Sequence, residues 1–89
     1  MLHKLRLALK AARELGAFTA PQFARLARIS EPKARQLLDN LVAGGLLKAV
    51  EVAGVRFYYR DPVEAADVIL SSVDLGKLSP EDRRRLTHL

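Results

Sequence analysis

The chain has 89 residues, a formal net charge of +5 from 15 Lys and Arg against 10 Asp and Glu, and 49% apolar residues. A chain this short and this apolar supports one small globular core and excludes a disordered or collagen-like polymer. The absence of cysteine excludes disulfides, thiolate metal sites, iron–sulfur clusters and cysteine nucleophiles. No apolar run approaches the ~20 residues of a membrane span, and His3, Lys4, Arg6 and Lys10 break up the first stretch, so a cytosolic chain without a secretory leader is expected.

The charge is uneven. Residues 1–60 carry 11 Lys and Arg against 4 Asp and Glu, whereas residues 61–89 carry 4 against 6. This division suggests a first part that meets a polyanion and a second part, 61–89, with another task. Ten of the 15 cations are Arg, a bias also found in proteins adapted to heat, so the basic charge has a second reading.

Leu2, Leu5, Leu9 and Ala12 recur at helical spacing between charged residues, and Gly16 follows as a stop signal, which predicts an amphipathic helix over 2–15. Leu7, Ala8, Ala11 and Leu15 add a second stripe, wider than one small core needs, and point to a dimer contact. Thr19-Ala20-Pro21-Gln22 has the form of a capping box with Phe18 and Phe23 at the staple positions. A second helix over about 20–27 is expected to bury Phe23, Leu26 and Ala27 and to leave Gln22, Arg25 and Arg28 outside.

Ser30 caps a third helix, with Glu31 and Pro32 in its first turn and Gly44-Gly45 at its end. Ala34, Leu37, Leu38 and Leu41 share one side of it; Pro32, Lys33, Gln36, Asp39 and Asn40 occupy the other, with Arg35 on a flank. From Leu47 to Arg60 the helical spacing disappears, and β-branched and aromatic residues surround Ala53-Gly54, predicting a β-hairpin. A two-residue loop there sets Val52 opposite Val55, Val50 opposite Phe57 and Lys48 opposite Tyr59, with Glu51 and Arg56 as a cross-strand ion pair. One or both of Tyr58 and Tyr59 belong to the core.

Asp61-Pro62 opens a fourth helix to about Ser72, with Val63, Ala66, Ile69, Leu70 and Val73 expected inside and Glu64, Asp67 and Ser71 outside. Val73–Leu78 is the candidate hinge. Ser79-Pro80-Glu81-Asp82 announces a last short helix whose exposed Arg83, Arg84 and Arg85 lead into Leu86 and Leu89, a tail that frays or is ordered by a partner.

Helix, short strand at Ala17–Thr19, helix, tight turn, helix, hairpin: over residues 2–60 this order resembles the winged helix-turn-helix domain of MarR-type and ArsR-type transcriptional regulators. The resemblance is carried by Phe18-Thr19, Phe23-Ala24-Arg25-Leu26-Ala27, Ile29-Ser30, Ala34-Arg35-Gln36-Leu37-Leu38-Asp39-Asn40-Leu41-Val42 and Gly44-Gly45-Leu46-Leu47. It implies a mainly α fold with a small β-hairpin (α+β): a three-helix core plus a wing over residues 1–60, followed by one or two C-terminal helices in 61–89. It also implies a sequence-specific regulator of transcription bound to double-stranded DNA, usually as a homodimer, with the third helix (about 31–43) in the major groove. On that reading Ser30, Lys33, Arg35, Gln36 and Asn40 face DNA, Arg25 and Arg28 lie near flanking phosphates, and Arg56 reaches one phosphate from a short wing. The effector that such regulators often carry is not identified by these residues.

The sequence also admits a winged-helix protein-interaction module of a larger nucleic-acid-processing or transport assembly, in which the acidic fourth helix and Arg83–Arg85 matter most. The cysteine-rich wing of iron-transport members is missing. An enzyme is not expected: His3 and His88 lie at the termini, no serine sits in a Gly-x-Ser-x-Gly turn, and no metal-ligand spacing or nucleotide loop occurs, so no cofactor or metal is anticipated.

Overall fold

The computed structural model describes residues 2–89. Its elements are α1 (Leu2–Leu15), β1 (Ala17–Thr19), α2 (Ala20–Ala27), α3 (Glu31–Ala43), β2 (Lys48–Val52), β3 (Val55–Tyr59), α4 (Pro62–Ser72), a 3₁₀ turn (Leu75–Lys77) and α5 (Pro80–Thr87). The class is α+β: mainly helical, with one antiparallel sheet in the order β1-β3-β2. None of the described helices is long and apolar enough to cross a membrane.

Period-two alternation divides the core in two, because neighbouring residues of a strand point to opposite faces. On one face Phe18 and Tyr58 meet Ala8, Ala11 and Ala12 of α1, Phe23 and Ala24 of α2, and Ala34, Leu37, Leu38 and Leu41 of α3. On the other, Ala17, Val52, Phe57 and Tyr59 meet Ala65 and Ile69 of α4 and Leu78, with Leu86 and Leu89 packed alongside. The sheet is therefore covered on both sides, and residues before and after Arg60 share the second cluster. Both tyrosines are core residues.

The hairpin has the expected register: Lys48 opposite Tyr59, Val50 opposite Phe57, Glu51 opposite Arg56 and Val52 opposite Val55. Its turn places Ala53 at φ 54° and Gly54 at φ 77°, the left-handed pair of a tight hairpin. Ala53 bears a Cβ in a region that costs an L-residue about 1–2 kcal/mol. Ala53→Gly is expected to raise stability by about 1 kcal/mol, read as a higher midpoint in thermal unfolding followed by circular dichroism; an unchanged or lower midpoint would show that the turn carries no strain. The second glycine requirement is at Gly16, with φ +80°, where an added Cβ would stand 2.9 Å from Val68 Cγ2 and 3.3 Å from the Glu64 carbonyl oxygen. That position lets α4 approach the end of α1.

Three expected burials are corrected. Leu26 is 52% exposed, and Ala24 takes the inner place on α2 together with Phe23. On α4 Ile69 is buried as expected and Val73 packs alongside, but Ala65 rather than Ala66 is the second inner residue, and Val63 and Leu70 are 73% and 41% exposed. Small Ala65 lets α4 sit close to the sheet, and that contact outweighs the burial of the larger Val63 at the helix start. On α1 Leu2 of the expected core stripe is 63% exposed, and the second stripe, expected as a dimer contact, is mostly spent on the monomer core: Ala8 and Ala11 are buried beside Ala12, Leu7 packs against them, and only Leu15 of that stripe stays exposed.

Val73–Leu78, taken as a hinge in sequence, is structured: Asp74 Oδ1 accepts from the Gly76 N–H at 3.0 Å and Leu78 is buried. α5 packs beside β2, where Arg85 Nη1 donates to the Glu51 carbonyl at 3.1 Å. Burial pushes the Asp82 carboxyl up, but the Ala53 amide and the Ser79 hydroxyl and amide outweigh it and hold the group below its ordinary value. The tail is thus ordered by the hairpin of its own chain.

Candidate nucleic-acid interface

The α2–α3 pair is built by local chemistry. Thr19 Oγ1 accepts from the Gln22 N–H at 3.4 Å while Gln22 Oε1 accepts from the Thr19 N–H at 2.9 Å, completing the capping box. α2 stops at Arg28, which takes the left-handed conformation (φ 56°). The Arg28 and Ile29 amides both donate to the Ala24 carbonyl. Two residues later Ser30 Oγ accepts from the Lys33 N–H at 3.3 Å and starts α3. Only Arg28, Ile29 and Ser30 separate the helices, which fixes their mutual angle tightly.

α3 buries Ala34, Leu37, Leu38 and Leu41 and exposes Glu31, Lys33, Arg35, Gln36 and Asn40. Arg35 Nη2 lies 3.8 Å from Glu31 Oε1 with both side chains more than half exposed, a contact worth a fraction of a kcal/mol that leaves the guanidinium free to reorient. The sequence-predicted residues fall into three groups. Lys33, Gln36 and Asn40 line a groove of about 700 Å³ against Lys4 and Leu5 of α1. Arg35 and Gln36 line a second, open depression of about 530 Å³ with Glu31, Pro32 and Asp39. Arg35 also shares a cleft of about 210 Å³ with Arg56, between the start of α2 and the hairpin. Arg25, Arg28 and Ser30 are exposed but lie outside these three depressions, and the Ser30 hydroxyl is occupied as a cap.

The expected Glu51–Arg56 ion pair is not the one formed. The two residues are register partners, yet Arg56 turns to α3, where Nη2 donates to Asp39 Oδ1 at 3.2 Å and Nε donates to the Tyr58 hydroxyl at 3.1 Å. Tyr58 in turn donates to Asp39 Oδ1 at 2.6 Å, and the Arg56 guanidinium lies 5.3 Å from the Tyr58 ring centre. The reason is solvation: Glu51 is exposed on the outer strand, whereas Asp39 offers Arg56 a half-shielded carboxylate and a shared phenol. Arg56 remains 37% exposed at its side chain, so it can meet one further oxygen at its outer edge. Sequence reasoning missed Asp39 and Tyr58 as the residues that dock the hairpin onto α3. The one signal available was an Asp on the polar side of a helix followed by an aromatic strand.

Burial, and then the bond to Asp39, raise the Tyr58 phenol above its ordinary 10.0, and burial raises Tyr59 as well. A group whose value is raised in the fold stabilises it fully below the unfolded value and loses that contribution as pH climbs through the folded one. Tyr58→Phe is expected to lower stability at pH 7 by about 1 kcal/mol and to flatten its decline above pH 10, with a residual slope from Tyr59, measured by urea unfolding across pH. An unchanged alkaline slope would contradict the docking role assigned to the phenol.

Among the described residues no three His, Asp or Glu side chains converge as metal ligands. No protein-family model, curated protein or solved structure matches the chain.

Proposed function

We propose that the chain is a sequence-specific double-stranded DNA-binding transcriptional regulator of winged helix-turn-helix type, acting as a homodimer and without an enzymatic step. The observation that carries this reading is the outer face of α3. Lys33, Arg35, Gln36 and Asn40 stand exposed on one rigid helix beside a hairpin held to it by Asp39, Tyr58 and Arg56. A helix of 13 residues is about 20 Å long and fits a major groove about 12 Å wide. Arg35 suits the O6 and N7 of guanine, Gln36 and Asn40 suit adenine, and Lys33 suits a phosphate. Ser30 faces the duplex at the start of α3, Arg25 and Arg28 serve flanking phosphates, and Arg56 serves one phosphate from the wing.

The homodimer reading is supported by apolar side chains that the monomer leaves uncovered, Leu2 and Leu15 on α1 and Val63 and Leu70 on α4. Two copies would place their third helices in major grooves about 34 Å apart, and occlusion of a promoter is the simplest mechanism. Light scattering should then give twice the 9.9 kDa chain mass. The interaction-module reading is favoured by one feature, the exposed Leu70 and Leu75 beside an apolar cleft between α4 and α5. Amide chemical shifts separate the two. On titration with duplex DNA, shifts concentrated at residues 30–43 and at the hairpin turn support the regulator, whereas shifts confined to α4 and α5, or none, refute it.

A further inference from the structure

The groove between α1 and α3 has more apolar surface than a DNA-reading helix needs. Leu5, Ile29, Leu37 and Leu41 line its floor, and Lys4 and Lys33 stand at its edge. Its volume, about 700 Å³, falls within the ~300–1,000 Å³ usual for small-molecule sites. It follows α3 from Lys33 to Leu41, about two turns on one side and about 12 Å of helix axis, so it is elongated.

The charges sit at one end. Lys4 Nζ donates to the Ala27 carbonyl at 3.2 Å, which places it by the α2–α3 turn, and Lys33 lies in the first turn of α3. Among the described residues neither ammonium forms an ion pair and no carboxylate lines the groove. An ammonium has three donors, so Lys4 keeps two for a ligand. Two uncompensated cations at the head of an apolar trough complement an anion with an unbranched apolar tail, since the tail leaves water as the head gains charge-assisted hydrogen bonds.

We propose that this groove binds a soluble medium-chain carboxylate, its head between Lys4 and Lys33 and its tail along Leu37 and Leu41. The site is independent of the DNA reading. Its consequence rests on that reading: Lys33, Gln36 and Asn40 wall the groove and are also the side chains assigned to DNA, so the carboxylate and the duplex exclude one another.

The test is titration of the full chain, free of DNA, with sodium decanoate and with 1-decanol as its neutral counterpart, followed by amide chemical shifts. Saturable shifts at Lys4, Leu5, Ile29, Leu37 and Leu41, with decanoate at least about tenfold tighter than decanol, are expected. Lys33→Gln, at an exposed position, should remove most of that preference while leaving decanol binding and the unfolding midpoint unchanged. Equal affinity for both compounds, shifts elsewhere, or groove shifts that appear on concentrating the protein alone, marking a second copy as occupant, would overturn the proposal. A second arm adds labelled duplex. Release of bound DNA by decanoate supports mutual exclusion; decanoate bound alongside DNA overturns it. A chain that binds no duplex refutes the regulator and leaves the first arm to decide the site.

Discussion

Replacing Phe18 with alanine is expected to cost about 3–5 kcal/mol, the usual range for emptying a fully buried aromatic site. Phe18 is 0% exposed. Its ring lies between Phe23, at 6.0 Å between centres, and Tyr58, at 6.2 Å, so it joins α2 to the central strand. A chain of this length has about 4–13 kcal/mol of total stability, so the variant should lose from about a quarter to all of it, read as a urea midpoint lowered in proportion. Phe18→Leu keeps most of the volume and should lose only about 1–1.5 kcal/mol. A Phe18→Ala midpoint within the error of the parent would contradict the packing described for the first core cluster.

The second large effect concerns recognition. Arg35→Ala combined with Gln36→Ala should weaken binding to a preferred duplex by about 2–4 kcal/mol, a 30- to 1,000-fold loss, because each residue is assigned a bidentate base contact. Binding to random duplex should fall far less, so selectivity collapses. Lys33→Ala should act differently, weakening all sequences alike and lowering the salt slope by about 1. These side chains are exposed, so unfolding midpoints should barely move. Competition anisotropy against random DNA measures both effects. Equal losses on preferred and random duplex would remove Arg35 and Gln36 from base reading.

What was legible in the sequence was local chemistry. Thr19 with Gln22, Ser30, Asp61 and Ser79 each start a helix where a short polar side chain meets an unpartnered amide, and such caps need no knowledge of the fold. Ala53-Gly54 set the hairpin register for the same reason. Choices made in three dimensions were not legible. Arg56 selects Asp39, 17 residues earlier, over its register partner Glu51. The inner stripe of α4 is turned so that Ala65, rather than Val63, meets the sheet. In both cases a close approach between elements decided among candidates that periodicity ranks equally.

The candidate site divides along the same line. That one side of α3 is polar follows from spacing, whereas the groove toward α1 and the cleft toward the hairpin depend on where those elements lie. Lys4 is the clearest case. It reads as an ordinary solvated residue of the first helix, and becomes part of a site only because α1 brings it to the end of α2.

Sequence-selective binding of duplex DNA by α3 and the residues around it has a direct readout. Fluorescence anisotropy of the purified chain with labelled random and genome-selected duplexes, at several salt concentrations, tests it most directly. Sub-micromolar binding that favours selected fragments and falls steeply with the logarithm of salt, as Lys and Arg displace counterions, is expected. Affinity weaker than about 10⁻⁴ M at low salt, below ordinary non-specific binding, would contradict it.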